Sequence, residues 1–139
     1  MADTFRLDIV TPERTVFSGP AEELTAPGIL GEFGVLPGHA NMLAELGVGR
    51  VRYRSGGNEQ ILLAGGGYAE VTGESVTVLL ERALFPEEIQ IEEASRALEI
   101  AKQNVYAPNE EQYAEWQQSL EWLGLCIQMA GDSTRKGQQ

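Results

Sequence analysis

The feature that most constrains the fold is a change of hydrophobic period at Phe85-Pro86. Before this point apolar and polar residues alternate, as in residues 4–10 and 75–81. A period of two places every second side chain on one face, which is typical of a β-strand with one buried face. After Pro86, apolar residues recur every three or four positions, which is typical of an amphipathic helix. The sequence therefore predicts a β-rich N-terminal part followed by a helical C-terminal part.

Turn-forming residues divide the N-terminal part into short segments at roughly 8–12-residue spacing, which is typical of an antiparallel sandwich or barrel. The pair Thr72-Gly73 indicates a tight hairpin. Three glycines at residues 65–67 could suggest a phosphate-binding loop, but strand-type residues follow them, beginning with Tyr68. We therefore expect a β-bulge or a close approach of two backbones at these glycines.

Two apolar seams with helical spacing follow. The first comprises Ile91, Ala94, Leu98, Ala101 and Val105. The second comprises Tyr113, Trp116, Leu120, Leu123, Ile127 and Ala130. Between them lies a break at residues 107–109, where Asn109 is a candidate N-cap with Gln112 three residues on, and Gly131 is expected to end the second helix. Two seams of similar length predict an antiparallel hairpin, and two helices packed separately on the sandwich are the alternative.

The second helix carries a further apolar stripe, formed by Trp122, Leu125, Cys126 and Met129. A two-helix hairpin cannot bury two stripes by itself. We expect this stripe to pack on the sandwich, and contact with another protein is the alternative.

These patterns predict an α+β protein with two domains. An N-terminal antiparallel β-sandwich, residues 1–86, precedes a C-terminal antiparallel two-helix hairpin, residues 87–131. Residues 132–139 form a polar tail that we expect to be frayed.

Charge and composition exclude several classes of function. A net charge of −11 disfavours binding to nucleic acid and to anionic lipid, because both need Lys and Arg. The single cysteine, Cys126, excludes an internal disulfide and fits a reducing compartment. No secretory signal, transit peptide or apolar run long enough to cross a bilayer is evident, so we expect membrane association only through partner proteins.

The only histidine, His39, lies in the Gly- and Pro-rich segment 31–43. General-base catalysis would need a nucleophile or an orienting carboxylate nearby, and no serine follows a nucleophile-elbow pattern. One histidine and one cysteine also make a poor metal site. We expect no catalytic residue, metal or cofactor, and we interpret the segment as a rigid, partly apolar docking loop. A small enzyme or ligand-binding sandwich using His39, and a free-standing adaptor, are the alternatives.

The motifs "TFRLDIVTPERTVFSG", "GEFGVLPGHA" and "GGGYAEVTGESVTVLLERA", followed by a helical hairpin, resemble the epsilon subunit of bacterial F-type ATP synthase. The mitochondrial equivalent is called delta. The resemblance implies a flattened sandwich with a helical hairpin, acting as a non-catalytic part of the central rotor. It also implies binding to the gamma subunit and the c-ring, and contact of the hairpin with the alpha and beta subunits. The expected location is the cytoplasmic face of the bacterial inner membrane, within the F1 sector.

The resemblance also implies site residues. The loop holding Glu32 and Phe33 matches the one that touches the c-ring, and the turn with Gly38 and His39 matches the neighbouring surface, close to Met42. The alternative for His39 is a hydrogen bond confined to its own turn.

Some family members bind ATP through a motif reading Ile/Leu-Asp-x-x-Arg-Ala on the first hairpin helix. The matching positions here include Ile89, Gln90, Glu93 and Ala94, so Gln replaces the Asp and Glu replaces the Arg. A carboxylate in place of a phosphate-facing cation repels the ligand, and we predict no useful ATP binding.

Inhibitory hairpins in this family are often basic, whereas residues 87–130 hold nine acidic and two basic residues, a net charge of −7. We therefore expect a brace, or at most weak inhibition of ATP hydrolysis.

Overall fold

The computed structural model describes residues 3–137, and the side chains of residues 3–131. The strands are β1 (Phe5–Val10), β2 (Thr15–Ala21), β3 (Glu23–Gly28), β4 (Gly31–Val35), β5 (Met42–Ser55), β6 (Asn58–Val71), β7 (Ser75–Leu80) and β8 (Ala83–Leu84). A single 3-10 turn (Pro86–Glu88) and two helices, α1 (Ile91–Gln103) and α2 (Tyr113–Gly137), follow. The chain divides into two compact units, Met1–Ala83 and Leu84–Gln139.

The strands of the first unit follow the order β2-β1-β7-β6-β5-β3-β4, with β8 paired to β6. The register pairs are antiparallel except between β1 and β7, which run parallel. The predicted α+β class with an N-terminal sandwich is confirmed, but its description as wholly antiparallel is wrong for this pair. Apolar and polar residues alternate along a strand in the same way whether its neighbour runs parallel or antiparallel, so the sequence pattern could not distinguish the two.

The sheet closes on itself into two layers. Three strands separate β2 from β5 in the hydrogen-bonded order, yet the rings of Phe17 and Tyr53 lie 4.5 Å apart. The hydroxyl of Ser55 donates to the carbonyl oxygen of Pro20 at 2.6 Å. Burial raises the pKa of the Tyr53 hydroxyl. These contacts join the first strands of the sheet to the far end of β5 and define the core between the layers.

The predicted alternation is visible in the core. On β1, Phe5, Leu7 and Ile9 are buried, and on β7 Val76 and Val78 are buried. Each such side chain contributes roughly 1.5–3 kcal/mol on burial. In contrast, four consecutive β6 residues, Leu62, Leu63, Ala64 and Gly65, are buried. This part of β6 is therefore covered on both faces.

The long strand β6 contains the three consecutive glycines at residues 65–67. Gly66 and Gly67 have φ angles of +93° and +147°, which favour glycine. A Cβ atom on Gly67 would collide with the backbone carbonyl of Leu79 and lie 2.9 Å from the Cα of Leu80. The predicted close approach of two backbones is confirmed at this position.

The hairpin of the second unit is antiparallel, since the first turn of α2 meets the last turn of α1. The indole Nε1 of Trp116 donates to the carbonyl oxygen of Ala101 at 2.8 Å. The rings of Tyr106 and Tyr113 flank Trp116, with centroids 6.3 and 5.9 Å away. The predicted two-helix hairpin is confirmed.

The predicted helix ends differ from the observed ones. Helix α2 begins at Tyr113, four residues after the predicted cap Asn109. Asn109 lies instead in a preceding turn, where the Glu110 carboxylate accepts the Ala107 N–H. The expected stop at Gly131 is wrong, since α2 continues to Gly137. Glycine lowers helix stability by about 1 kcal/mol without ending a helix by itself. The last two residues of the predicted tail lie outside the described residues.

The predicted seams are also only partly buried. Ile91 and Val105 are exposed, and Val105 follows the end of α1. Conversely, Trp122, Cys126 and Met129 of the additional stripe are buried. The face of α1 that lines the grooves beside α2 includes Ala94 and Ala101 of the predicted seam, together with Glu93, Ala97 and Ile100.

Replacing Gly67 with alanine should destabilise the sandwich by about 3 kcal/mol, since the new Cβ meets backbone in a strained φ region. Gly73 has open space around its Cβ position, so Gly73→Ala should change the free energy of unfolding by less than about 0.5 kcal/mol. Urea unfolding of both variants measures the difference. Equal free energies of unfolding for the two variants would contradict the close approach of Gly67 to the backbone of Leu79.

Candidate functional site

Neither a metal site nor a membrane-spanning helix is found among the described residues. No three His, Cys, Asp or Glu side chains in this part of the chain are arranged to hold a metal ion. Within residues 3–137, neither helix combines the length and apolar character needed to cross a bilayer.

The segment that contains His39 is not one loop. Residues Gly31–Val35 form strand β4, which pairs only with β3, and the connection to β5 covers residues 36–41. The interpretation of residues 31–43 as a single docking loop is therefore wrong for β4. Phe33 and Val35 alternate inward on this short strand, and the glycines on either side concealed that alternation.

The predicted interface residues are divided by β4. Glu32 and Phe33 lie at its start, beside the β3–β4 turn, and Glu32 is exposed. Gly38 and His39 lie in the connection after its end, and Met42 begins β5. The structure therefore distributes these five residues over strand β4, the connection after it and the start of β5.

His39 is held within its own turn. Its backbone N–H donates to the Leu36 carbonyl at 3.1 Å, and its Nδ1 lies 2.6 Å from the Ala40 carbonyl oxygen. Because a carbonyl oxygen only accepts, Nδ1 carries the hydrogen. Gly38 has φ +85°, which this tight turn requires. The described hydrogen bonds of His39 are thus local ones that shape the turn.

The β3–β4 turn presents two exposed apolar side chains that sequence reasoning missed. Ile29 is 57% exposed and Leu30 is fully exposed. The turn is tight, because a Cβ on Gly28 would lie 2.7 Å from the Gly31 carbonyl oxygen. An apolar pair enclosed by glycines, in "PGILG", is the signal that could have identified this tip. We call Ile29 and Leu30 the apolar tip.

A second exposed apolar surface lies on the outer side of β1, β7, β6 and β5. Tyr68 and Leu79 are direct cross-strand neighbours and are about half exposed, and Val10 pairs with Leu79 on the other side. Leu43, 71% exposed, lies diagonally across from Tyr68 on β5. We call these four residues the outer apolar face. Apolar residues at the solvent-facing positions of alternating strands are the signal that the sequence offered for it.

The four positions matched to the ATP-binding motif come together in the second unit. Ile89, Gln90, Glu93 and Ala94 all line one groove of about 360 Å³ beside α2. Gln90 precedes α1 but makes no side-chain capping bond. The groove thus presents the Glu93 carboxylate where the motif has a cation.

Comparisons with known proteins agree with this architecture. A family model described as the β-sandwich domain of the ATP synthase delta/epsilon chain matches residues 4–86. The ATP synthase epsilon chain of Geobacter metallireducens is 41% identical over 138 residues, which cover 98% of this chain and 100% of that one. The epsilon chain of Geotalea uraniireducens is 38% identical with the same coverage.

Solved structures show the same fold. A chain of the Euglena gracilis mitochondrial ATP synthase OSCP/F1/c-ring assembly superposes with a TM-score of 0.76 at 25% identity, covering 89% of this chain and 79% of that one. A chain of the Tetrahymena thermophila mitochondrial central stalk and c-ring gives 0.63 at 15% identity, covering 88% and 96%. The matched sandwich and the full-length relatives show that this chain belongs to the ATP synthase delta/epsilon family.

Proposed function

We propose that this chain is a non-catalytic rotor subunit of F-type ATP synthase, coupling rotation of the c-ring to the catalytic head through gamma. The observation that carries this proposal is the pair of exposed apolar surfaces on a rigid sandwich whose full-length relatives are ATP synthase epsilon chains. The alternative of a small enzyme using His39 has less support, since the described hydrogen bonds of that side chain stay within its own turn.

We assign the two apolar surfaces to different partners. The outer apolar face spans several strands and suits a broad contact with gamma, because exposed apolar patches mark protein interfaces. The apolar tip, with Glu32 two residues further on, is narrow and suits a contact with the polar loops of the c-ring. We assign the turn with Gly38 and His39, and Met42 on β5, to a neighbouring surface near gamma and the c-ring, as the resemblance implies.

The mechanical role follows from the packing. A coupling element must resist torque, and a close-packed interior has low compressibility and transmits strain. The tight approach of Gly67 to the backbone of Leu79 leaves little freedom between β6 and β7, which carry the outer apolar face.

As a member of this family the chain is part of the F1 sector of a membrane-associated complex. We place it at the cytoplasmic face of a bacterial inner membrane. Its similarity to epsilon chains of Geobacter and Geotalea supports this location.

We propose that the acidic hairpin acts mainly as a folded brace and inhibits ATP hydrolysis weakly. Its net charge of −7 over residues 87–130 disfavours docking onto acidic segments of the head. We assign the docking to the rotor partners to the sandwich, residues 1–86, and the bracing to the hairpin, residues 87–131. Residues 132–139 are assigned no role.

Substitutions on the two surfaces should separate the two contacts. Leu79→Glu should weaken capture by purified gamma at least about tenfold, and Leu30→Glu should weaken contact with the c-ring in the same way. Both side chains are exposed, so folding should be retained. Val105→Glu, on an exposed residue of the hairpin, is the matched control. If both variants still captured gamma and the c-ring normally in pull-downs, the assignment of the two surfaces to these partners would be wrong.

Isothermal titration with Mg-ATP should detect no micromolar site in the full chain. The Glu93 carboxylate repels the phosphates where a cation would be needed. The double variant Gln90→Asp, Glu93→Arg restores the charges of the motif and provides the comparison. Micromolar affinity in the unaltered chain would refute this prediction.

Deleting residues 88–139 should change ATP hydrolysis by the assembled enzyme less than about threefold, because a brace does not block the catalytic head. The control is enzyme assembled with the full chain at the same occupancy. A many-fold rise in hydrolysis on deletion would show that the hairpin is a strong inhibitor.

A further inference from the structure

The hairpin presents an apolar furrow with unpaired carboxylates. Two adjacent grooves lie between α1 and α2, one of about 440 Å³ and one of about 360 Å³. They share Ala97 and Leu123, so they form one continuous furrow along the hairpin. On α2 the lining extends from Glu115 to Cys126, about 17 Å at the rise of an α-helix, and Gln112 lines it just before the helix begins.

The floor of this furrow is apolar. The small side chains of Ala97 and Ala101 line the α1 side, and Trp116 and Leu123 line the α2 side. At one rim Ile100 is 61% exposed, although it is a large aliphatic side chain. Contact of this apolar surface with water is unfavourable, so covering it with an apolar partner lowers the free energy.

The charges around the furrow have one sign. Glu93 lines the smaller groove and Glu115 the larger one. Among the described residues neither carboxylate has a hydrogen-bonding or ion-pair partner. No Lys or Arg within residues 3–131 lines either groove. A ligand that covers the floor must therefore bring positive charge to the rims.

We propose that the furrow between α1 and α2 docks a basic amphipathic helix of a partner protein. Such a helix places apolar residues on one face, spaced to enter the furrow, and Lys or Arg beside that face, within reach of Glu93 and Glu115. About three helical turns match the length of the lining on α2. This inference concerns the second unit and does not rest on the rotor role of the sandwich.

The chain contains its own reporters. Its two tryptophans are Trp116 and Trp122, and one lines each groove. The probe is an 18-residue peptide of Leu and Lys with a helical apolar face and no tryptophan. Titrated into the full chain, it should shift tryptophan emission to shorter wavelength with saturation, and added salt should weaken binding.

Matched variants separate docking from general attraction. Glu93→Gln with Glu115→Gln should weaken binding roughly fivefold, as expected for two exposed ion pairs. Glu99→Gln with Glu121→Gln removes the same charge from exposed positions outside the furrow and should leave the affinity within about twofold. Circular dichroism of both variants checks that the helices are retained.

Three results would overturn the proposal. One is no saturable change in emission up to about 100 µM peptide, which is weak for a specific contact. Another is equal binding of a peptide with the same composition but scrambled apolar spacing, or of a Leu/Glu peptide with the same spacing. The third is an equal loss of affinity in the Glu99/Glu121 variant.

Discussion

The approach of Gly67 to the backbone of Leu79 is the contact on which the sandwich depends. At this point β6 passes so close to the adjoining strand that no Cβ can be accommodated. Strands β5 and β6 stay paired on both sides of this point, and β2 lies over the far end of β5. Strand β6 can keep this register with β7 only because Gly67 carries no side chain.

The two units are stabilised by different means. The sandwich buries many large aliphatic side chains, so the hydrophobic effect dominates its stability. Helix α1 buries only Ala94, and its contact with α2 relies on small residues and on the hydrogen bond from Trp116 to Ala101. Stability is therefore distributed unevenly, and a hairpin of this kind is the part of the molecule more open to change by a partner.

Charge and apolar exposure divide the surface by function. The sandwich exposes apolar residues at the outer apolar face and the apolar tip, which we propose as its contacts with gamma and the c-ring. The hairpin instead combines apolar surface with acidic rims, which suits a different class of partner. Cations at the motif positions would have favoured a nucleotide, and the carboxylate of Glu93 reverses that preference.

The sequence by itself determined the fold class, the position of the change from strands to helices, the family, and a special backbone geometry at the glycines of residues 65–67. Each of these depends on local periodicity, turn chemistry or motif order, which one chain segment carries on its own. Only the tertiary structure decided that β1 and β7 pair in parallel, that Glu32 belongs to strand β4 while His39 lies in the connection after it, and that Trp122 is buried while Ile91 is exposed. Pairing direction and burial depend on which distant segments meet, and side-chain alternation along a single strand or helix does not contain that information.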